Sequence, residues 1–346
     1  MSDATRNLRQ YHDEKVKPDA MESQIKREMA TGVIEQVRSS IPNAGNVQYT
    51  GSQYEGNATR GASDFDVMID VAPKGSSFQY EKTDAPGFGK LKYQSGADDG
   101  YTGKVVTGDG YLSGKNVIEK QVQPAVDKLI GVQNHGGHLN VNGREIDVKR
   151  SVHGPAITLD LKSGKHETQV DIVPTVGPEH VTGGKEGVSF VAKPSSNATG
   201  SRRETEWRQS TAVQEKETFK GVHHGNQVHS EVLKDAKTAR AENPALQSMP
   251  SYVAKTAQMS LIAKDEQRVS QGSQPKSWSP AESADRLQDL GKELYQGLDR
   301  GDMRNPHNPA MNVLSKTTAA DRQEWKQQIG ADGKGLVNLA TTEPKK

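Results

Sequence analysis

The sequence predicts an α/β lobe followed by a helical lobe. Three observations carry that reading: short alternating apolar runs between residues 47 and 174, a Gly-, Ser-, Pro- and Lys-rich stretch from Gly177 to Ser201, and helical periodicity almost throughout the remainder. At 346 residues the chain is long enough for two domains of ~100–200 residues each. Only 32% of the residues are hydrophobic, so Gly-rich loops around a modest core are expected.

From Met21 to Ser40, Ile25, Met29, Val33, Ile34 and Val37 recur at helical spacing among Lys, Arg, Glu and Gln. That pattern predicts one amphipathic helix, ended by Ile41-Pro42-Asn43. A strand follows at Val47 to Tyr49, then the turn residues Gly51-Ser52, a short helix at Gln53 to Asn57, and a strand from Asp64 to Val71. Pro73 to Gly110 reads as loop with irregular strands, and Leu112 to Ile130 as helix. Leu139 to Val148, Ala156 to Leu161 and Thr168 to Val173 alternate as sheet strands do, with turns at Asn142-Gly143 and Ser163-Gly164. The stretch 177–201 reads as a crossover between lobes. Beyond it, Trp207 to Lys220, Val228 to Ala241, Ser251 to Asp265, Ala281 to Leu298 and Thr318 to Ile329 are predicted helices.

Several function classes drop out at once. The 45 Lys and Arg nearly cancel the 44 Asp and Glu, so nucleic acid or an anionic membrane would have to be bound by a local patch. Without Cys there are no disulfides, thiolate nucleophiles or Cys-based zinc and iron–sulfur centres. Met1 to Tyr11 is too polar for a secretory leader, and no run approaches the ~20 apolar residues of a membrane span. A cytoplasmic protein is expected.

The most informative segment is Thr50-Gly51-Ser52 followed by Ser63-Asp64-Phe65-Asp66-Val67-Met68-Ile69. Strand alternation puts Asp64 and Asp66 on one face and Phe65, Val67, Ile69 and Val71 on the other. Two like charges side by side repel, and they make sense when they share divalent cations. Magnesium suits oxygen ligands and binds through one or two carboxylates plus substrate phosphates. Backbone amides at the Gly51-Ser52 turn, with the Ser52 hydroxyl, can hold a phosphate. Asp171 alternates with Val170 and Ile172 on a third strand; set beside Asp64–Val71, it completes the three carboxylates of a two-metal phosphoryl or nucleotidyl transfer site. Asp70 continues the same face and reads as a solvated side chain. Gly108-Asp109-Gly110 fails as a dinucleotide fingerprint and Gly114-Lys115-Asn116 fails as a P-loop.

These segments together resemble the nucleotidyltransferase superfamily, in particular the Mab-21 branch that contains cyclic GMP-AMP synthase and the cGAS-like receptors. Thr50-Gly51-Ser52-Gln53-Tyr54-Glu55 and Asp64-Phe65-Asp66-Val67-Met68 resemble the family's Gly-Ser activation loop and first two metal-binding acids. Lys149-Arg150 and Gly154-Pro155-Ala156-Ile157-Thr158-Leu159 are similar to the stretch before the third acid, which falls on Asp171. Trp207-Arg208-Gln209-Ser210 with Glu215-Lys216-Glu217, and Ser251-Tyr252-Val253-Ala254-Lys255-Thr256-Ala257, resemble nucleotide-contacting segments of the helical lobe. Ala212 departs from the pattern, standing where relatives often carry Ser.

The resemblance implies an α+β bilobal nucleotidyltransferase fold: residues 1–185 form a mixed β-sheet active-site lobe with a long N-terminal helix, and residues 186–346 a helical C-terminal lobe. It implies that Asp64, Asp66 and Asp171 hold Mg2+ or Mn2+. Thr50, Gly51 and Ser52 would then hold the triphosphate, with Arg208, Ser210, Glu215, Lys255 and, on a weaker match, Tyr295 positioning bases and phosphates. The implied substrates are ATP and GTP and the implied product a cyclic dinucleotide messenger of antiviral innate immunity. The rival expectations are a catalytically inactive nucleotide-binding interaction protein and a transferase that adds single nucleotides to an acceptor. No zinc is expected, since His223, His224 and His229 lack Cys partners. Double-stranded RNA is a candidate activator, although basic and acidic residues are mixed along the N-terminal helix.

Overall fold

The computed structural model describes residues 1–96, 100–131, 136–154, 156–222 and 228–342; Pro155, His223 and His224 of the readings above lie outside them. The elements run α1 (Asp3–Tyr11), α2 (Ala20–Ser40), β1 (Val47–Thr50), α3 (Gly51–Tyr54), β2 (Asp64–Asp70), β3 (Ser77–Lys82), β4 (Phe88–Ser95), α4 (Tyr101–Val105) and α5 (Gly114–Asn116). A π-helical stretch, Val117–Val122, leads into α6 (Gln123–Ile130). Then come β5 (Gly136–Val141), β6 (Arg144–His153), β7 (Ala156–Ser163), β8 (His166–Val176), β9 (Val181–Thr182), β10 (Ser189–Val191), α7 (Gly200–Thr205) and β11 (Glu206–Ser210). The chain closes with α8 (Ala212–Val222), α9 (Val228–Glu242), α10 (Ser251–Ser270), α11 (Ser283–Arg300), the ribbon β12 (Arg304–Asn305) and β13 (Asn308–Asn312), α12 (Ala319–Ile329) and α13 (Lys334–Thr341). None of the described helices is long and apolar enough to cross a membrane.

One compact unit comprises Asp19–Tyr54 and Ser63–Val213. Its mixed sheet has the order β5-β6-β7-β8-β10-β11-β4-β3-β9, with β2 parallel to β8 and β1 antiparallel to β2. The apolar residues of β2, β7 and β8 (Phe65, Val67, Ile69, Ile157, Leu159, Val170, Ile172) are fully buried with Met29, Ala30, Val33, Ile34 and Val37 of α2. The predicted helical stripe is therefore what covers one face of the sheet and leaves the polar residues of β2 and β8 to the other. Asp19 caps α2 by accepting from the Glu22 amide at 2.7 Å. The β5–β6 turn is the two-residue Asn142-Gly143 expected from sequence, both residues having positive φ (52° and 80°), as a type I′ hairpin requires.

The second unit comprises Met1–Pro18, Glu55–Ala62 and Gln214–Lys346. Its core is built on α11, where Leu287, Leu290, Leu294 and Leu298 recur at helical spacing and are buried with Leu246, Trp325 and Leu336. Leu8 and Tyr11 of α1 and Val16 join the same core, so the polar N-terminus supplies an apolar stripe of its own. Thr318 and Asp321 form a capping box at the start of α12.

The structure departs from expectation in four places. Residues 73–110 contain β3 and β4, paired antiparallel over most of their length. The crossover 177–201 contributes β9 and β10 to the sheet. The segment Trp207–Lys220 is divided: Glu206–Ser210 is a strand between β10 and β4, and the helix begins at Ala212. Pairing on both edges overrides local helical preference there. A single cut at 185/186 is replaced by an interleaved division, because residues 186–213 pair into the sheet while 1–18 and 55–62 pack with the helices.

Candidate active site

In the sheet unit, register decides which side chains share a face. Asp66 lies directly opposite Asp171 across the parallel β2–β8 pair, and Asp64 lies opposite Gln169. Paired residues point the same way, so Asp64, Asp66 and Asp171 stand together on the face away from α2. The row continues on either side: Thr50 pairs with Asp66, and Thr158 with Asp171. Thr158 Oγ1 donates to Asp171 Oδ1 at 2.6 Å, and Gln169 Nε2 donates to Asp160 Oδ1 at 2.7 Å in the next row. The first bond orients the Asp171 carboxylate, and neither Asp64 nor Asp171 has an ion-pair partner among the described residues.

The turn before β2 is built against this row. Gly51 has φ of +77°, and a Cβ placed on it would sit 1.9 Å from Asp66 Oδ2. Only glycine lets the backbone come so close to the carboxylate while adopting that φ. Ser52 follows in α3 with no hydrogen-bond partner among the described residues, and buried Thr50 bonds the Asp66 carbonyl at 3.3 Å. Three carboxylates beside a close backbone approach form an all-oxygen donor set, which suits a hard divalent cation such as Mg2+ or Mn2+.

Arg208 and Ser210 reach the same face through strand register. Thr175, two residues along from Val173 on the Asp171 face, pairs with Val191, and Val191 pairs with Arg208. Ser210 is buried, with its Oγ 3.4 Å from Met68 Sδ, and Met68 stands on the β2 face of Asp64 and Asp66. The strand, not the expected helix, thus aligns these two residues with the acids.

Glu215, Lys255 and Tyr295 belong to the helical unit. Lys255 Nζ bonds Glu55 Oε1 at 2.6 Å and Glu215 Oε2 at 2.7 Å, with the three residues only 9%, 4% and 3% exposed. Glu215 Oε1 also accepts from the Tyr252 hydroxyl at 2.6 Å and from Asn305 Nδ2 at 2.8 Å. Burial pulls the Lys255 ammonium down, but Glu215 and Glu55 outweigh it and leave its pKa raised. Tyr295 is half-buried on α11 against the leucine core, with Lys326 Nζ 5.6 Å from its ring centroid. The structure thus joins Glu215 to Lys255 and sets Tyr295 in other surroundings.

Asp70 is a correction. It is buried, not solvated, and accepts from the Ala72 and Gly177 amides at 3.2 and 3.3 Å and pairs with His180 Nε2 at 3.1 Å. The end of β2 runs beneath the segment 177–180, which removes water from that position. The bond to Asp70 raises the His180 pKa against burial, and His180 Nδ1 meets the Ser76 carbonyl at 3.1 Å. Asp70, Glu179 and His180 bring ligating atoms within 4.8 Å of one another, but both His180 nitrogens already have protein partners.

Sequence reasoning missed Thr158 and Glu55. Thr158 was within reach: counting outward from the hairpin turn after Ser163 pairs it with Asp171. Glu55, 200 positions from Lys255, carries no local signal of its buried role.

Residues 54–221 match the family model of the Mab-21 protein nucleotidyltransferase domain. The chain is also similar to cyclic GMP-AMP synthase-like receptor 3 of Stylophora pistillata, 27% identical over 230 residues. That alignment covers 62% of this chain and 62% of the relative, so the match spans about six-tenths of the relative's length. The segment matched by the family model contains Asp64, Asp66, Asp171, Arg208, Ser210 and Glu215, and both matches support a likeness to the Mab-21 and cGAS-like nucleotidyltransferases.

Proposed function

We propose that the protein is a metal-dependent nucleotidyltransferase that joins two nucleoside triphosphates, ATP and GTP, into a cyclic dinucleotide messenger in antiviral innate immunity. The observation that carries this reading is the register of Asp66 opposite Asp171, with Asp64 on the same face and the Gly51 backbone against Asp66. Asp64, Asp66 and Asp171 would hold Mg2+ or Mn2+, which when bound would supply Lewis acidity for an attacking ribose hydroxyl and positive charge for the departing pyrophosphate. The Gly51-Ser52 turn, with Thr50, holds the triphosphate, and Arg208 and Ser210 orient a nucleotide on the same face. Glu215, Lys255 and Tyr295 are proposed as further nucleotide-binding residues. Each transfer joins a ribose hydroxyl oxygen to an α-phosphorus, breaks the α–β anhydride and releases pyrophosphate, with the hydroxyl proton passing to water. Two such transfers close the ring. Double-stranded RNA or another ligand is the proposed activator, and the cytoplasm the proposed site of action.

Incubating the protein with labelled ribonucleoside triphosphates and Mg2+ or Mn2+, with and without double-stranded RNA, tests this directly. The expected result is pyrophosphate release and a phosphatase-resistant product. Single-nucleotide addition that requires an acceptor would contradict it. A second reading, a nucleotide-binding interaction protein without turnover, is favoured by one observation: Lys255, assigned to the triphosphate, is already neutralised by two buried carboxylates. Nucleotide-dependent thermal stabilisation without pyrophosphate release would support it.

A further inference from the structure

The three acids of the sheet unit are held in place by different means. Asp66 lies against the Gly51 backbone, and exposed Asp64 has the Ser63 hydroxyl 3.5 Å from its Oδ1. Asp171 is half-buried, and its carboxylate has one hydrogen-bonding side chain among the described residues, the Thr158 hydroxyl at 2.6 Å. An ionised carboxylate only accepts, so Thr158 Oγ1 is the donor. The length is that of a hydroxyl bonded to a charged oxygen, about 2.5–2.7 Å.

Register creates this contact. Thr158 and Asp171 are direct partners in the antiparallel β7–β8 pair, and Asp171 is in turn the partner of Asp66 in the parallel β2–β8 pair. Side chains directly opposite one another on a sheet face are close enough to bond. Thr158 is buried on the acid face, while Ile157 and Leu159 on either side of it are fully buried in the core beneath α2. Valine would fill the same volume with no polar atom to satisfy, so packing gives no use for the hydroxyl. Branching at Cβ limits χ1 and keeps that hydroxyl in one place. The terminal torsion of an aspartate is soft and nearly two-fold, so an unbonded carboxylate would present either oxygen to a cation. With Oδ1 engaged, Asp171 has Oδ2 left to offer.

We propose that Thr158 is a positioning residue for the cation site: it holds Asp171 Oδ1 so that this carboxylate meets a divalent cation through Oδ2 alone, and it thereby sets the affinity of the acid row for that cation. Outer partners of this kind orient metal-ligating carboxylates and tune their affinity. The proposal rests on the reading of Asp64, Asp66 and Asp171 as cation ligands and adds to it a residue that acts through Asp171.

Titrating Mn2+ into the full chain with ATP, and following water-proton relaxation, reads protein-bound metal without any need for turnover. Thr158→Val is expected to weaken Mn2+ binding about 10- to 100-fold, with a melting temperature close to that of the wild type. Thr158→Ser, which keeps the hydroxyl and drops the methyl, is expected to recover most of the affinity. Wild-type Mn2+ affinity in Thr158→Val, whether or not that variant melts earlier, would overturn the proposal and leave Thr158 a residue of the fold. Thr158→Ser binding as weakly as Thr158→Val would overturn it too, because the hydroxyl would then not be the cause. Absence of bound Mn2+ in the wild type itself would remove the cation reading of the acid row, and this proposal with it.

Discussion

Each unit holds a group of acidic side chains, and the two groups are treated in opposite ways. In the sheet unit, Asp64, Asp66 and Asp171 stand on one face beside hydroxyl and amide neighbours, and Asp64 and Asp171 have no cationic partner among the described residues. In the helical unit, Glu55 and Glu215 are buried and share the ammonium of Lys255, with Tyr252, Asn57 and Asn305 taking up further oxygens. Acids neutralised inside a fold hold it together, whereas a row of acids left facing outward gains nothing for stability and is available to a ligand's charge. The contrast separates acids open to a ligand's charge from acids whose charge the fold already meets.

The largest expected effects test that separation from both sides. Asp64→Asn is expected to lower turnover at least 1,000-fold, about 4 kcal/mol of transition-state stabilisation, with the melting temperature unchanged or slightly raised as repulsion is relieved. A large loss of stability in that variant would break the comparison. Lys255→Met is expected to do the reverse in stability, leaving two buried carboxylates unpaired at about 3–5 kcal/mol, read by denaturant unfolding. If Lys255→Met unfolds like wild type, the network is not structural and Lys255 is free to serve a nucleotide.

A smaller effect sharpens the same contrast. Lys237, whose Nζ donates to the Asn57 carbonyl at 3.2 Å, has its pKa lowered to about 8, first by burial and then by repulsion from Lys255, against the attraction of Glu55. Between about pH 8 and the ordinary lysine value of 10.5 the unfolded chain holds a proton that the native state has released. Stability from this group is therefore fully present above the unfolded value and lost as pH falls through about 8. Lys237→Met is expected to remove a rise of about 1–2 kcal/mol across that window, measured by unfolding at pH 7.5 and 10. A slope unchanged in the variant would assign the proton elsewhere.

Much of the acid face was legible in the sequence because strand alternation is local. Asp64 and Asp66 share a face whatever the strand pairs with, and the placement of Asp171 followed from apolar residues on either side of it. Arg208 and Ser210 were placed on a helix because Trp207–Lys220 reads continuously; only pairing with β10 and β4, which no local pattern records, makes the first part a strand. Asp70 shows the converse, since alternation identified its face but not the segment 177–180 that buries it. The Glu55–Lys255–Glu215 network was illegible for the same reason: its members are separated by 160 and 40 positions, and burial alone distinguishes them from surface charge.

The central claim is that the carboxylate row on β2 and β8 is a divalent-cation site, and Mn2+ binding measured by electron paramagnetic resonance in the presence of nucleoside triphosphate tests it most directly. The account predicts protein-bound Mn2+ in the wild type and its loss in Asp66→Asn and Asp171→Asn, both still folded by circular dichroism. Equal Mn2+ binding in the wild type and both variants would contradict it.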